Sequence, residues 1–319
     1  MPTHELLIVH PTLADPPDHS MLTQELVRRL CDACEDASLK VHACSSRELR
    51  NKVARDLRDL TLIVVDPRKG ARTSGDRDEF FSRLAAARTL ILASAEPAES
   101  PWYREQFEVP VDFHAVFDIG FVPQVDKHDR PSVPYHFVFN APTRSEKEAI
   151  ARIPPPEGRP IPWALVGRPT ASRLALTVQL MEGLAIGGVV YLPGKPDQLA
   201  PDGAFWQPTL GKHEKISASG LAAILEETTY YVWASAHDFA CYESIQFVTA
   251  LRTGAVPAKI AGGEGSHGLW HVPGVFTSPQ SFCTAAHREG AQALYQRARD
   301  FYLSKGLLAT HLEKALEHV

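Results

Sequence analysis

The residues best suited to chemistry lie between two apolar segments in the second half of the chain. The segment "YYVWASAHDFACYESIQFVTALRTGAVPAKI" (230–260) predicts a strand, a loop, a helix, a glycine and a second strand. Glu243 and Ser244 stand at the start of the predicted helix. The free N–H groups and partial positive charge of a helix N-terminus suit a phosphate, and a carboxylate there can accept hydrogen bonds from a ribose diol. The alternative, equally open from the pattern, is that both residues only cap the helix.

The elements before this site alternate between strand and helix. A continuous apolar run such as 61–66 is typical of a parallel strand that is covered on both faces. The alternation predicts a doubly wound α/β unit. The predicted strands are Glu5–Val9, Lys40–Cys44, Thr61–Asp66, Thr89–Ser94 and Phe113–Phe121, and the predicted helices are Leu22–Ala33, Ser46–Leu57 and Asp78–Ala87.

A segment of different character, 122–162, separates the two halves of the chain. Thr143 and Glu146 have the spacing of a capping box before a predicted helix, Ser145–Ile153. The proline cluster Pro154–Pro162 predicts a linker.

The second half repeats the α/β alternation, and two helices from Pro279 onward end the chain. Its predicted strands are Trp163–Gly167, Gly188–Leu192, Tyr230–Ser235, Ala255–Ile260 and Gly274–Ser278, and its predicted helices include Ala171–Leu184, 219–228 and Glu243–Gly254. We therefore expect two Rossmann-like doubly wound domains facing across a cleft, 1–155 and 156–319. Ligands of such folds bind at the carboxyl ends of the strands.

Composition excludes several classes of protein. The 319 residues hold 33 Lys and Arg against 38 Asp and Glu, a net charge of −5, which argues against nucleic-acid backbones as the main partner. Five cysteines are too few for a disulfide scaffold, and Cys31 and Cys34 lie late in a predicted helix, where a redox pair is not expected. With neither a signal-peptide pattern nor a long apolar run, we expect a cytoplasmic protein with reduced thiols.

The segment "ESIQFVTALRTGAVPAKI" (243–260) resembles the nucleotide-sugar-binding segment of GT-B glycosyltransferases. That segment has a Glu, a helix of the type "R/K-x-x-x-A-L-x-x-G" and then "A-V/I-P-V", in the manner of the exostosin-like and fucosyltransferase-like branches. The earlier "PWALVGRPTASRLALTVQL" (162–180) is similar to the opening of the same C-terminal domain. The resemblance covers residues 162–278, and the final helices fit the GT-B habit of crossing back to the first domain.

The resemblance implies roles for individual residues on the donor side. It implies that Glu243 binds the ribose of the donor nucleotide, with Ser244 beside it, and that Gly167 lets the backbone approach the donor phosphates. Arg173 is a candidate for neutralising the diphosphate or, alternatively, a solvated helix charge. Tyr242 and Trp233 are candidates for stacking on the base, with core aromatics as the alternative.

The chain departs from the family pattern in the loop before Glu243. Retaining members of one large GT-B family carry a second glutamate eight positions earlier, where this chain has Ser235. "WASAHD" also replaces the Glu-Asn-Ser of the fucosyltransferase-like pattern. His237 and Asp238 are candidates to replace the missing polar contacts. The departure favours an inverting reaction over a retaining one.

An inverting enzyme needs a base that removes the proton of the acceptor hydroxyl. The start "LLIVHPTLADPPDHSMLTQEL" looks like the first strand and loop of plant-type glycosyltransferases, which place a histidine shortly before the first helix. His19 holds that place and His10 is the alternative, while a plain cap of the helix is the other interpretation of His19. Asp18, Glu96 or Glu99 could orient the histidine.

Acceptor contacts are expected on the same domain. The basic segment Pro67–Asp78 follows the third predicted strand and reads as a loop. Arg68 and Lys69 in it, with Glu96 and Glu99, are the candidate acceptor-binding residues. A solvated loop is the alternative interpretation of the basic segment.

No metal site is expected from the sequence. Asp76 and Asp78 have a metal-holding spacing but are better explained as a helix start. His267 and His271 have helical ligand spacing, yet Gly268 and Pro273 argue against a helix there. The absence of a P-loop and of a dinucleotide glycine motif counts against a kinase and a dehydrogenase.

Together these observations predict a glycosyltransferase that uses no cofactor. It would move a sugar from a nucleotide-sugar donor, a UDP- or GDP-sugar, to a hydroxyl acceptor, with inversion, a histidine base and no metal. A silent nucleotide-sugar-binding protein and a nucleotide-sugar epimerase of the same fold are the alternatives. The acceptor, a glycan or a small molecule, is not identified. A hydroxymethylated DNA base also stays open, although the net charge counts against it.

Overall fold

A computed structural model describes most of the chain, and it divides into two compact units. The first unit is Met1–Ser145 with Lys305–Val319, and the second is Glu146–Ser304. The predicted domain boundary at residues 155 and 156 stays a prediction. The described residues are 5–12, 21–52, 54–96, 100–123, 133–167, 171–184, 187–191, 216–234, 243–261 and 271–319.

The described part of the first unit contains a parallel sheet with the order β2-β1-β3-β4-β5-β6. All five residues of β3 are buried, as expected for an apolar strand covered on both faces. The strands are β1 (Leu6–His10), β2 (Val41–Ser45), β3 (Thr61–Val65), β4 (Thr89–Ser94), β5 (Ala115–Gly120) and β6 (Tyr135–Phe139). Strand β6 was not predicted, because its residues lie in the proline-containing segment 122–162.

The helices of the first unit connect these strands as parallel pairing requires. They are α1 (Met21–Asp36), α2 (Ser46–Arg50), α3 (Ala54–Leu57), α4 (Pro67–Thr73), α5 (Arg77–Ala85) and α6 (Pro101–Glu105). Two predictions were wrong here. The predicted helix Ser46–Leu57 is two helices, α2 and α3.

Much of the predicted basic loop after β3 is helix α4. This helix forms because Pro67 can occupy the first helical position and the Asp66 carboxylate accepts the Lys69 N–H at 3.1 Å.

The described part of the second unit contains a parallel sheet with the order β11-β10-β9-β7-β8. Its elements follow α7 (Arg144–Arg152), which begins at the border of the two units. The strands are β7 (Ile161–Val166), β8 (Val189–Tyr191), β9 (Thr228–Ala234), β10 (Val256–Ile260) and β11 (Val275–Phe276), and the helices are α8 (Ala171–Leu184), α9 (Ala218–Glu226), α10 (Ser244–Thr253) and α11 (Pro279–Leu303). These two sheets confirm the predicted α/β class.

The last helix, α12 (Leu308–Leu316), belongs to the first unit. It packs against α1 and β6, and the Leu308 N–H donates to the Pro142 carbonyl at 2.9 Å. The chain therefore returns to its first unit at its end, in the way that the resemblance implied. None of the described helices combines the length and the apolar character that a membrane crossing requires.

The cysteines of the first unit behave as structural thiols. Cys31 and Cys34 lie on α1, and both are free, as is Cys44. Burial raises the pKa of Cys31 to about 11 and that of Cys34 to about 12. These thiols therefore stay protonated and weakly reactive near neutral pH.

Gly254 ends α10 in the left-handed conformation, with φ of 74°, and sets the entry into β10. A Cβ at this position would lie 2.4 Å from Nη2 of Arg159 and 2.7 Å from Cγ2 of Ile153. Arg159 has little freedom to move, because its Nη1 donates to two backbone carbonyls, those of Leu225 and Thr228, at 2.9 and 2.8 Å.

We expect Gly254→Ala to lower the free energy of unfolding by about 2–4 kcal/mol, from backbone strain and overpacking together. Gly306→Ala is the matched control, since Gly306 has φ of 81° and nothing within 4 Å of its added Cβ. The free energy of unfolding of the control should fall only by the cost of backbone strain, about 1–2 kcal/mol. Urea unfolding of both variants measures the difference, and equal losses would contradict the packing argument.

Candidate functional site

The carboxyl edge of the second sheet has a topological switch point between β7 and β9. From β7 the chain continues to β8 on one side, whereas β9 lies on the other side. In open α/β sheets, ligands bind outside the carboxyl ends of the strands at such a point. Gly167 follows β7 directly, so the residue that was predicted to approach the donor phosphates stands at the switch point.

Glu243 is the N-cap residue of α10, but its side chain makes no capping hydrogen bond. Its carboxylate instead faces the ends of two strands. Trp233 of β9 donates its indole N–H to Oε2 at 3.1 Å, and the Lys259 ammonium of β10 forms an ion pair with the same oxygen. The plain-cap interpretation is therefore wrong for the Glu243 side chain.

Strand register brings these three residues together. Trp233 and Lys259 are directly paired neighbours on β9 and β10, so both side chains lie on the same face of the sheet. The Lys259 side chain is 0% exposed and that of Glu243 15% exposed. A buried ammonium requires a partner, and Glu243 supplies it.

Burial decides the role of the two neighbours of Glu243. Trp233 is fully buried, so it is a core aromatic whose polar edge faces Glu243, and it is not a stacking platform for a base. Ser244, the first residue of α10, is buried as well. The Gln246 N–H donates to the Glu243 carbonyl at 3.0 Å, which is how the first turn of α10 begins.

Several predicted donor-side residues lie outside the described part of the chain. His237, Asp238 and Tyr242 are among them, so their predicted roles stay predictions. Arg173 lies in the first turn of α8, the helix that follows β7, and its side chain is not described.

The first sheet has its own switch point, between β1 and β3. His10 is the last residue of β1, and its Nδ1–H donates to the Pro11 carbonyl at 2.9 Å. A carbonyl oxygen only accepts, so the proton must lie on Nδ1, and Nε2 is left as an acceptor in the neutral ring. His19 and Asp18 lie outside the described residues.

The loop after β1 is held by a group of hydroxyls. The Thr12 N–H donates to Ser46 Oγ at 3.1 Å and to Thr73 Oγ1 at 2.9 Å. The Thr12 hydroxyl accepts the Arg47 N–H at 3.1 Å. These bonds tie the residue two positions after His10 to α2 and α4, so the histidine stands on an anchored backbone.

Asp66 stands at the same switch point, directly after β3, and was not among the predicted site residues. It adopts a left-handed conformation with φ of 49°, which strains a residue other than glycine. Burial raises the pKa of its carboxyl group. Strain and burial are both common at functional positions. The available signal was an aspartate between a buried strand and Pro67.

A second buried carboxylate, also missed, lies on β5 near the same edge of the sheet. Asp118 is 2% exposed and accepts a hydrogen bond from the Tyr135 hydroxyl. Burial and the charge of Asp118 raise the pKa of Tyr103, whose buried hydroxyl has no hydrogen-bond partner among the described residues. Ser94, paired with Asp118 across the strands, accepts from the Gln106 amide at 3.3 Å.

The predicted acceptor residues are partly engaged in the first unit. The Arg68 guanidinium on α4 forms an ion pair with Glu105 on α6, and the Lys69 N–H belongs to the Asp66 cap. The Glu96 N–H donates to Ser94 Oγ at 3.2 Å. Glu99 lies outside the described residues.

The part of the chain that the structure describes contains no group of three or more His, Cys, Asp or Glu side chains that could hold an ion. Asp76 is the N-cap of α5, and its side chain accepts the Glu79 N–H at 3.0 Å, in line with the helix-start interpretation.

Comparison with known proteins gives similarity in structure only. No known protein family and no curated protein matches the chain. The β-glucosyltransferase of phage T4 in complex with UDP-glucose covers 98% of this chain and 99% of its own length, with 11% identity and a TM-score of 0.60. The phage enzyme with UDP and Mn2+ covers the same shares, with 11% identity and a TM-score of 0.59.

A further structure gives the same result. A β-glucosyltransferase described as a DNA-modifying enzyme, with and without uridine diphosphoglucose, covers 98% of this chain and 99% of its own, with 12% identity and a TM-score of 0.58. The similarity extends over both parallel sheets and their helices. The chain therefore has the fold of the GT-B glycosyltransferases, as the resemblance in 162–278 predicted.

Proposed function

We propose that this protein is a glycosyltransferase that moves a sugar from a nucleotide-sugar donor to a hydroxyl acceptor. The observation that carries the proposal is the similarity to a UDP-glucose-binding glucosyltransferase over 98% of the chain. A fold alone does not define a function, so the proposal also needs a site. The Glu243 carboxylate, held at the carboxyl edge of the second sheet, supplies it.

The donor lies against the second unit in this proposal. Glu243 accepts hydrogen bonds from the ribose hydroxyls, with Ser244 beside it at the N-terminus of α10, and Gly167 lets the backbone approach the diphosphate. Arg173 adds positive charge. A helix N-terminus and a guanidinium both stabilise the charge that develops on a departing diphosphate, so the proposed reaction requires no metal.

The acceptor and the base belong to the first unit in this proposal. Nε2 of His10 takes the proton of the acceptor hydroxyl as its oxygen attacks the anomeric carbon. The bond from that carbon to the diphosphate oxygen breaks, and the nucleoside diphosphate leaves with the electron pair. Attack from the face opposite the leaving group inverts the anomeric centre. The hydrogen bond from Nδ1 to Pro11 supports His10 as the base, and His19 is the alternative.

The acceptor is proposed only as a hydroxyl compound. One structural relative is described as a DNA-modifying enzyme, which keeps a hydroxymethylated base as a second candidate. The net charge of −5 and the pairing of Arg68 with Glu105 count against a DNA acceptor. A glycan or a small hydroxyl compound is the better first choice in an acceptor screen.

A panel of UDP-, GDP-, ADP- and TDP-sugars tests the donor proposal by thermal shift. A ligand that binds only the folded protein stabilises it by about 2.7 kcal/mol at a concentration of 100 Kd, which raises the melting temperature by about 4 °C if the 319-residue chain unfolds as one cooperative unit. We expect such a shift with one class of nucleotide, equally in EDTA and in Mn2+. A shift that required Mn2+ would contradict metal independence.

Turnover then separates the candidate functions. Consumption of the donor only when a hydroxyl acceptor is present supports a transferase, whereas conversion of the donor without acceptor indicates an epimerase. Binding without turnover on glycans, small hydroxyl compounds and hydroxymethylated DNA would indicate a silent binding protein. No shift with any nucleotide sugar would overturn the glycosyltransferase proposal.

A further inference from the structure

Lys259 is an unusual residue for its position. It lies in β10, whose five residues are all buried, between Ala258 and Ile260, and its own side chain is fully buried. The ammonium forms its ion pair with Glu243 Oε2, the oxygen that also accepts the Trp233 indole N–H. No described residue donates to Oε1.

Stability alone gives no reason for a lysine at this place. Desolvation of two charges costs about as much as their attraction returns, so a buried ion pair adds little over apolar residues of the same volume. The arrangement does fix one carboxylate in position and orientation. Two donors from adjacent strands of one sheet hold Oε2, and the plane of the carboxylate is thereby set.

We propose that Lys259 and Trp233 are positioning residues, which hold Glu243 so that its Oε1 accepts hydrogen bonds from the ribose hydroxyls of the donor. The inference rests on the proposed function. The inference also predicts a substrate class, since ribonucleoside diphosphate sugars should bind better than their 2′-deoxy counterparts. A 2′-deoxy nucleotide lacks one hydroxyl that would donate to Glu243, so the partly buried carboxylate would be left with an unsatisfied oxygen.

Binding of UDP, GDP and ADP, and of the 2′-deoxy form of each, tests this inference by titration calorimetry. For the ribonucleotide that binds wild type, we expect Lys259→Met to weaken binding about ten-fold or more, since the proposed hydrogen bonds from the ribose hydroxyls to the charged Glu243 carboxylate lose their geometry. For the 2′-deoxy form the same substitution should change the affinity by less than about three-fold, because the contact that Lys259 supports is already reduced. In turnover, the donor KM should rise while kcat changes little.

Three variants separate positioning from folding. Trp233→Phe removes the indole N–H and keeps an aromatic ring. It should weaken the binding of ribonucleotides more than that of their 2′-deoxy forms, as Lys259→Met does, but by a smaller factor. Arg252→Met breaks an ion pair with Glu146 at the other end of α10, and it should leave nucleotide affinity unchanged. In a Glu243→Gln background, Lys259→Met should have no further effect on binding.

The outcomes are distinguishable. If wild type binds no nucleotide sugar of the panel, the proposed function fails and this inference fails with it. If wild type binds a TDP-sugar but none of the ribonucleotides, the proposed function stands and this inference alone is overturned. Two results overturn the positioning inference alone, provided that wild type binds a ribonucleotide and Glu243→Gln weakens that binding. In the first, Lys259→Met weakens the binding of the ribo- and deoxy-forms equally. In the second, Lys259→Met weakens binding further in the Glu243→Gln background. A folded Lys259→Met variant with unchanged affinity overturns it as well.

Discussion

Glu243→Gln is expected to lower kcat/KM for the nucleotide sugar by about a hundred-fold, with most of the change in the donor KM. The amide keeps the size of the carboxylate and can still accept from Trp233. It loses the negative charge that the ribose hydroxyls would bind, and its NH2 group cannot accept. The buried Lys259 ammonium loses its ion pair with the Glu243 carboxylate. Steady-state kinetics against the donor at saturating acceptor measures the effect.

A control variant is needed because the substitution also touches the fold. Removing one partner of a buried ion pair costs about 3–5 kcal/mol when the other partner cannot be solvated, and the glutamine reduces that cost by accepting a hydrogen bond. Kinetics should therefore be measured well below the melting temperature of the variant. Glu226→Gln removes an exposed carboxylate from α9 in the same unit and should retain wild-type kinetics. Unchanged donor KM in Glu243→Gln would contradict a ribose contact.

The central strands of the first unit could be predicted because burial on both faces requires apolar residues, and such runs can be recognised in the sequence. A strand buried on both faces is apolar along nearly its whole length, and β3 and β4 satisfy that condition at every position except their ends. The edge strand β6 could not be found in this way. Of its five residues only Val138 is fully buried, and the element that covers it, α12, comes from the far end of the chain.

Helix α4 was missed for a different reason. Its residues include Pro67 and Gly70, which in most contexts indicate a turn. Gly70 is required by packing, since an added Cβ would lie 2.9 Å from the ring of Phe80. The proline is tolerated because it stands at the first helical position, after the Asp66 cap. The contact of Gly70 with Phe80 is not contained in the local pattern, whereas Asp66 followed by Pro67 was a local signal of a helix start.

The candidate site divides in the same way. Glu243 could be singled out because it stands just before a helix that ends in a recognisable glycine. Its partners could not, since the contact depends on the register of β9 against β10. The available signal was Lys259 itself, the one charged residue in "AVPAKI", a run that predicts a buried strand. A charged side chain in a buried strand needs a partner, so Lys259 indicates a polar site even though the sequence does not show which residue is its partner.

His10→Gln is expected to lower kcat by about 10²–10⁴-fold with little change in the donor KM, since the residue would act on the acceptor proton in the transition state. Glutamine has similar size, and its amide can still donate to the Pro11 carbonyl, so the backbone that Thr12 anchors should be retained. What disappears is an acceptor able to take a full proton. The effect is measured with saturating donor and the acceptor found by the screen.

Two further histidine variants make this result specific. His42→Gln removes an exposed imidazole from β2 of the same sheet and should keep wild-type kcat. His19→Gln tests the other predicted base. If His19→Gln lost activity by the same factor while His10→Gln retained it, His19 would be the base. The Nδ1 bond of His10 would then serve only the loop after β1. Loss of activity in neither variant would overturn a histidine base, and Asp66, strained and buried at the same switch point, would become the next carboxylate to replace.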